Sequence, residues 1–193
     1  KLCGVEVLAL RVSFTGDLGW ELHCDTADQE KLYLGLINSG KDYGIGLVGS
    51  RALMSLRIEK GYGSWSREYS PEYWPQEVGL DRLIKEDKEF LNKNAYLEIR
   101  NKGPREKLCM VGVLQADDAD ATGGEPIFSL EGKPLGRVSS GSYCGGVGKS
   151  LALAFIKDAT AGDKVNVMIL GKPHIGKILN EPPFDPSGKI LRS

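Results

Sequence analysis

Between residues 5 and 14 apolar and polar positions alternate. Leu8, Leu10, Val12 and Phe14 fall on one face, with Arg11 and Ser13 on the other, the period of a strand. Thr15-Gly-Asp17 predicts a turn, and Trp20-Glu-Leu-His23 a second strand. At Thr26 the period changes. Thr26 with Gln29 reads as a capping box, Leu32, Leu36 and Ile37 form a helical stripe, and Gly40 ends it. A second helix is expected from Gly49-Ser50, carrying Leu53, Leu56 and Arg57 and stopping at Gly61. From Gly61 to Pro75 the aromatics Tyr62, Trp65, Tyr69, Tyr73 and Trp74 follow no period. This predicts a long ordered loop, set against a central site or simply wrapped around the helix before it. Residues 79–102 predict a short strand and then a helix, and Asn101-Lys-Gly-Pro104 marks the clearest break.

Beyond the break the pattern is of short strands separated by turns. Leu108–Leu114, Pro126–Leu130, Leu135–Ser139, Ser150–Ile156, Lys164–Leu170 and Ile175–Leu179 are the segments, with Glu131-Gly-Lys-Pro134 as a hairpin signal. Without an intervening helical stretch they argue for a small antiparallel β-barrel, followed after Pro182 by an extended tail. The fold class is therefore α+β, a strand–helix–helix layer followed by a barrel.

Charge narrows the function classes. The 193 residues carry 25 basic and 26 acidic side chains, a net charge of -1, which gives no electrostatic reason to expect nucleic acid or an anionic membrane. No apolar run approaches the roughly 20 residues of a bilayer span. The opening Lys1-Leu-Cys-Gly-Val lacks the pattern of a signal peptide. The four cysteines, Cys3, Cys24, Cys109 and Cys144, are too far apart for a zinc motif. They are expected as reduced thiols of a bacterial cytoplasm or mitochondrial matrix. His23 and His174 alone suggest no metal centre. Gly145-Gly-Val-Gly-Lys-Ser150 imitates a phosphate loop, but Tyr143 stands where that pattern needs glycine, so a turn between strands is expected. Asp117-Asp-Ala-Asp120 is read as a solvated loop, with no support for a metal beyond its charge.

Arg11-Val-Ser-Phe-Thr-Gly-Asp-Leu-Gly-Trp-Glu21 resembles the RxxYTGExGxE signature of the aminomethyltransferase (glycine-cleavage T-protein) family, and Ser55-Leu-Arg-Ile-Glu-Lys-Gly61 follows at that family's distance. Pro75-Gln-Glu-Val-Gly-Leu80, Phe90-Leu91 and Ser139-Ser-Gly-Ser-Tyr143 support the resemblance. It is nearest to the folate-linked C-terminal region of dimethylglycine and sarcosine dehydrogenases. Ala-Arg-Asp precedes the second motif in T-proteins. Leu53 and Met54 take the Arg and Asp positions here, which points toward the amine-dehydrogenase branch.

The resemblance implies three parts around a central folate hole, of which residues 1–100 supply the C-terminal portion of the folate domain. Residues 105–185 are then the barrel and 186–193 a tail. It implies tetrahydrofolate as partner, flavin only in a missing N-terminal part, and one-carbon transfer as the parent's reaction. No catalytic residue is expected in this chain, because the family's aspartate lies in the earlier half, and the chain alone is expected to be inactive. Glu21 is the implied pterin ligand. A carboxylate accepts two adjacent ring N–H groups side by side, and the aromatic faces of Phe14 and Trp20 can stack on the ring. Phe14 stands where the family has tyrosine and so lacks its hydroxyl. Arg57 is a candidate for a folate carboxylate, or else an internal salt bridge, and Trp65 completes the candidate set. The bland reading of Glu21 is a solvent-facing strand residue. Two alternatives stay open for the whole: a non-catalytic relative of the pyruvate dehydrogenase phosphatase regulatory subunit, and a folate-sensing module in RNA modification or iron–sulfur repair.

Overall fold

The computed structural model describes residues 1–114, 119–158 and 160–193. Strands β1 (Leu8–Leu10) and β2 (Glu21–His23) form an antiparallel hairpin in which Leu10 faces Glu21 and Leu8 faces His23. The alternation at residues 5–14 therefore forms strand over only three residues, and Leu8 remains 62% exposed because no further strand covers it. Helix α1 (Gln29–Gly40) follows a 3-10 turn at Thr26–Asp28. The expected capping box is not formed, since no side chain caps either element and the turn takes up the entry. Helix α2 (Ser50–Glu59) begins after Gly49 as expected. Residues 79–102 contain no strand. A 3-10 turn at Asp81–Leu83 precedes α3 (Lys93–Lys102), because Asp81, Arg82, Lys85, Glu86 and Asp87 leave too few apolar positions for a buried strand.

After Gly103-Pro104 the chain forms a closed antiparallel barrel. Its strands are β3 (Lys107–Val113), β4 (Pro126–Phe128), β5 (Pro134–Cys144), β6 (Lys149–Ile156), β7 (Lys164–Ile169) and β8 (Lys172–Ile178), in spatial order β3-β6-β5-β4-β7-β8, with β8 pairing back to β3. Alternate residues fill the interior, among them Val111, Val138, Ala152, Ala154, Val165, Val167 and Ile178. Closure leaves the sheet without open edges. The run Leu151-Ala-Leu-Ala-Phe-Ile156 is apolar throughout because β6 is buried on both faces. Ala152 and Ala154 look into the barrel, while Leu151 and Leu153 pack with Ile58 of α2 and with Met110 and Cys144. Phe155 stacks on Tyr73, ring centroids 3.8 Å apart. The aromatic loop is thus wrapped against the barrel wall. Gly145–Gly148 is a turn between β5 and β6, as expected. The tail is not extended. It ends in a short helix, α4 (Lys189–Arg192), whose first N–H groups, at Lys189 and Ile190, are bonded by the Asp185 carboxylate. Residues Asp117 and Asp118 of the acidic loop lie outside the described residues.

Candidate functional site

The last turn of α2, with Lys60 that caps it, joins the parts of the molecule. Arg57, Ile58, Glu59 and Lys60 are consecutive and all buried, at most 5% exposed. Each points to a different neighbour, since successive helical residues are about 100° apart. Arg57 donates through Nη1 to Glu68 Oε2 at 3.2 Å and to the Tyr62 carbonyl at 3.1 Å. Ile58 enters the cluster outside β6. Glu59 accepts from the Gly146 N–H at 3.0 Å, which holds the β5–β6 turn. A Cβ at Gly146 would lie 2.5 Å from Glu59 Oε2, so this glycine is needed for the approach. Lys60 pairs with Asp185 Oδ2 at 2.9 Å and pins the tail. Its stem lies beneath Gly16, where a Cβ would come within 2.4 Å of Lys60 Cδ and where φ is +87°. The two sequence signatures therefore meet at Gly16 and Lys60.

Above that contact stands the hairpin. Gly16 N–H donates to Ser13 Oγ at 2.9 Å, and Thr15 Oγ1 donates to Asp17 Oδ2 at 3.1 Å, which fixes the turn. Glu21 shares a face with Leu8 and Leu10, because Leu10 is its partner across the pair and Leu8 that of His23. Its carboxylate is 56% exposed and 3.5 Å from His23 Nε2. Phe14 is half-buried and Trp20 is 60% exposed. The result is an open platform, with one carboxylate beside Leu8 and Leu10, both of them exposed. Glu21, Phe14 and Trp20 belong to this hairpin. Arg57 forms an internal ion pair with Glu68 through Nη1, the second of its two expected roles. Trp65 stands 84% exposed on the loop.

Two polar networks brace the site, and neither was found from sequence. In the first, Glu68 is fully buried. Its Oε2 also accepts from the Ser64 N–H at 2.8 Å, and its Oε1 accepts from the hydroxyls of both Ser139 and Ser140. Neighbouring strand residues normally point to opposite faces. A bulge between Val138 and Ser140 turns both hydroxyls toward one carboxylate. Burial pushes this carboxyl up, but the hydrogen bonds from Ser139, Ser140 and Ser64, with Arg57, outweigh it and hold Glu68 below the usual carboxylate range. In the second network, Glu77 takes a two-pronged contact from Arg105, Nε at 2.7 Å and Nη2 at 2.6 Å, and accepts from the Trp74 N–H at 2.8 Å. The Arg105 guanidinium also lies 4.4 Å from the Trp74 ring centroid. The Arg105 contacts, chiefly, hold the Glu77 carboxyl down at about 2. The signals were present but unread: Glu77 and Ser140 sit inside short motifs quoted only for resemblance.

Burial pushes the Cys144 thiol up to about 11, which makes it a poor nucleophile at neutral pH. All four cysteines are free. Among the described residues no group of His, Cys, Asp and Glu is arranged to hold a metal ion, and no helix is long and apolar enough to cross a membrane.

An open strand–helix layer coupled to a closed six-stranded barrel defines the class, and comparison with known proteins gives the family. Residues 1–88 match the GCVT N-terminal domain, and residues 107–185 match the glycine cleavage T-protein C-terminal barrel domain. The chain belongs to the glycine-cleavage T-protein (aminomethyltransferase) family. It is 38% identical to the mitochondrial dimethylglycine dehydrogenase of Rattus norvegicus over 186 residues, covering 94% of this chain and 22% of the relative. It is 29% identical to an aminomethyltransferase of Leptospira biflexa over 178 residues, covering 91% of this chain and 48% of the relative. The glycine cleavage system aminomethyltransferase T of Bartonella henselae shares the fold, with a TM-score of 0.81 at 23% identity over 92% of this chain and 50% of that structure. The chain thus spans about a fifth of the dehydrogenase and half of the aminomethyltransferases.

Proposed function

We propose that this chain forms one wall of a tetrahydrofolate site in a one-carbon transferase, as part of an N-methyl amine dehydrogenase of the dimethylglycine or sarcosine type. The observation that carries the reading is the Glu21 platform. A half-exposed carboxylate on a strand, with a flat indole beside it and apolar residues on the same face, suits a flat ring with adjacent N–H donors. Glu21 accepts two of those N–H groups, Trp20 and Phe14 offer aromatic faces, and Gly16 over Lys60 fixes the height of the hairpin against the barrel. Tetrahydrofolate supplies the nitrogen that receives the one-carbon unit. The acidic group that manages its proton belongs to the part of the protein that precedes this chain in its relatives. That part, on this reading, covers Leu8, Leu10, Val12 and Trp20 and excludes water from the transfer. Arg57 braces the wall from inside, and Trp65 is a third aromatic face open to the ligand. The similarity to dimethylglycine dehydrogenase along 94% of the chain supports the amine-oxidising context, and with it a mitochondrial matrix or bacterial cytoplasm.

The test is calorimetric titration of tetrahydrofolate into the whole natural protein and its Glu21→Ala variant. Saturable binding that the substitution weakens at least tenfold is the expected result, the value of a charged hydrogen-bonding pair. A whole protein that binds no folate would overturn the reading and favour a regulatory role like that of the pyruvate dehydrogenase phosphatase subunit.

A further inference from the structure

Arg57 is incompletely satisfied. It is fully buried, yet its hydrogen bonds use Nη1, to Glu68 and to the Tyr62 carbonyl, and Nε and Nη2 have no partner among the described residues. A buried charged donor left unpaired costs on the order of several kcal/mol, so an acceptor is expected there. The free pair is the edge of the guanidinium whose two parallel N–H bonds a carboxylate can bridge.

Arg57 lines a groove of about 600 Å3 between α2 and β5, together with Arg51, Arg67, Ser140, Ser142 and Asp120. The groove also reaches Ser50, the first residue of α2, a ten-residue helix whose N-terminus has no side-chain cap. Unbonded N–H groups at that end add partial positive charge. Among the described residues, Arg51, Arg57 and Arg67 line the groove with Asp120, and Arg57 is paired with Glu68 outside that lining, which leaves one net positive charge. That balance suits a singly charged anion better than a phosphate dianion.

We infer that the groove over Arg57 is a receptor for a carboxylate, bridging Arg57 Nε and Nη2 with Arg51 and Arg67 at its mouth. It is separate from the Glu21 platform and does not rest on the folate reading. The carboxylate has two possible sources, a small monocarboxylate from solution or an acidic side chain from another part of the whole protein.

The experiment titrates sodium acetate into the whole protein while following thermal stability, with sodium chloride at matched ionic strength as control. The expected result for a solution ligand is a saturable rise in Tm with acetate that chloride does not give. Arg51→Gln and Arg67→Gln, both at exposed positions, should each weaken it about threefold, and Glu21→Ala should leave it unchanged. Phosphate should bind no more tightly than acetate. Arg57→Lys removes the fork and should abolish the effect. If that variant does not fold, the two surface variants carry the test. A crystal structure of the whole protein reads the second source. An Asp or Glu side chain on Nε and Nη2, with acetate silent, assigns the same chemistry to the protein itself. Acetate and chloride acting alike, with only water on both nitrogens, would overturn the inference.

Discussion

Glu77 clasps the segment before the barrel to the residue that enters it, and Glu77→Gln tests how much that clasp is worth. The substitution keeps size and one acceptor oxygen but removes the charge that both prongs of Arg105 address. The carboxyl lies at about 2 instead of 4.5, roughly two and a half pH units, which at 1.36 kcal/mol each corresponds to about 3 kcal/mol of stability. Arg105 is half exposed, so solvent screening makes this an upper bound, and a loss of about 2 kcal/mol at pH 7 is expected. The sign follows from the depressed value. The contribution is complete above the unfolded pKa of 4.5 and is lost as pH falls from there toward 2. Urea unfolding of parent and variant at pH 7, 4 and 2.5 measures it. Other acidic groups titrate in both proteins and cancel in the difference. A gap that stays the same at pH 7 and pH 2.5, or one under about 0.5 kcal/mol at pH 7, would refute the clasp as an ionic device.

Three further outcomes follow. Glu68→Gln should cost about 3–5 kcal/mol by leaving Arg57 buried without its counter-charge, and Arg57→Met added to it should recover much of that loss in a double-mutant cycle. Gly16→Ala must take up φ +87° and push against Lys60, so thermal unfolding should show a Tm lower by about 5 °C, and an unchanged Tm would contradict the contact. Trp65→Ala, at a position 84% exposed, should change stability by less than about 0.5 kcal/mol while weakening tetrahydrofolate binding in the whole protein, and unaltered binding would remove Trp65 from the site.

The barrel was legible in the sequence because its signals are local. Their segments are short runs of alternating or, in β6, continuous apolar residues, and glycine-rich turns divide them. Helix α2 was legible for the same reason, with Gly49 before it and Gly61 after it. The hairpin was legible as a hairpin, but its exposed apolar face was not, because alternation reports that one side seeks burial and not which partner supplies it. The buried networks were hidden for a different reason. Glu68 lies in a loop without period, and its Ser139 and Ser140 partners are 71 and 72 residues away. Only a bulge, which leaves no mark in the apolar pattern, turns both toward it. Arg57 shows its charge in the sequence but not its direction, and its ion-pair partner, Glu68, lies in that same loop without period.

The final turn of α2 also bears on where this chain can change length. A substitution at Arg57, Ile58, Glu59 or Lys60 breaks one attachment. Inserting or deleting a single residue just upstream within the helix would rotate the whole turn by about 100° and break all four at once. The stretch between α1 and α2 has no such restriction, since Tyr43 is 90% and Leu47 75% exposed there. Length variation in evolving copies of this chain should therefore gather between Lys41 and Val48, while residues 50 to 61 keep a fixed count even where their identities drift.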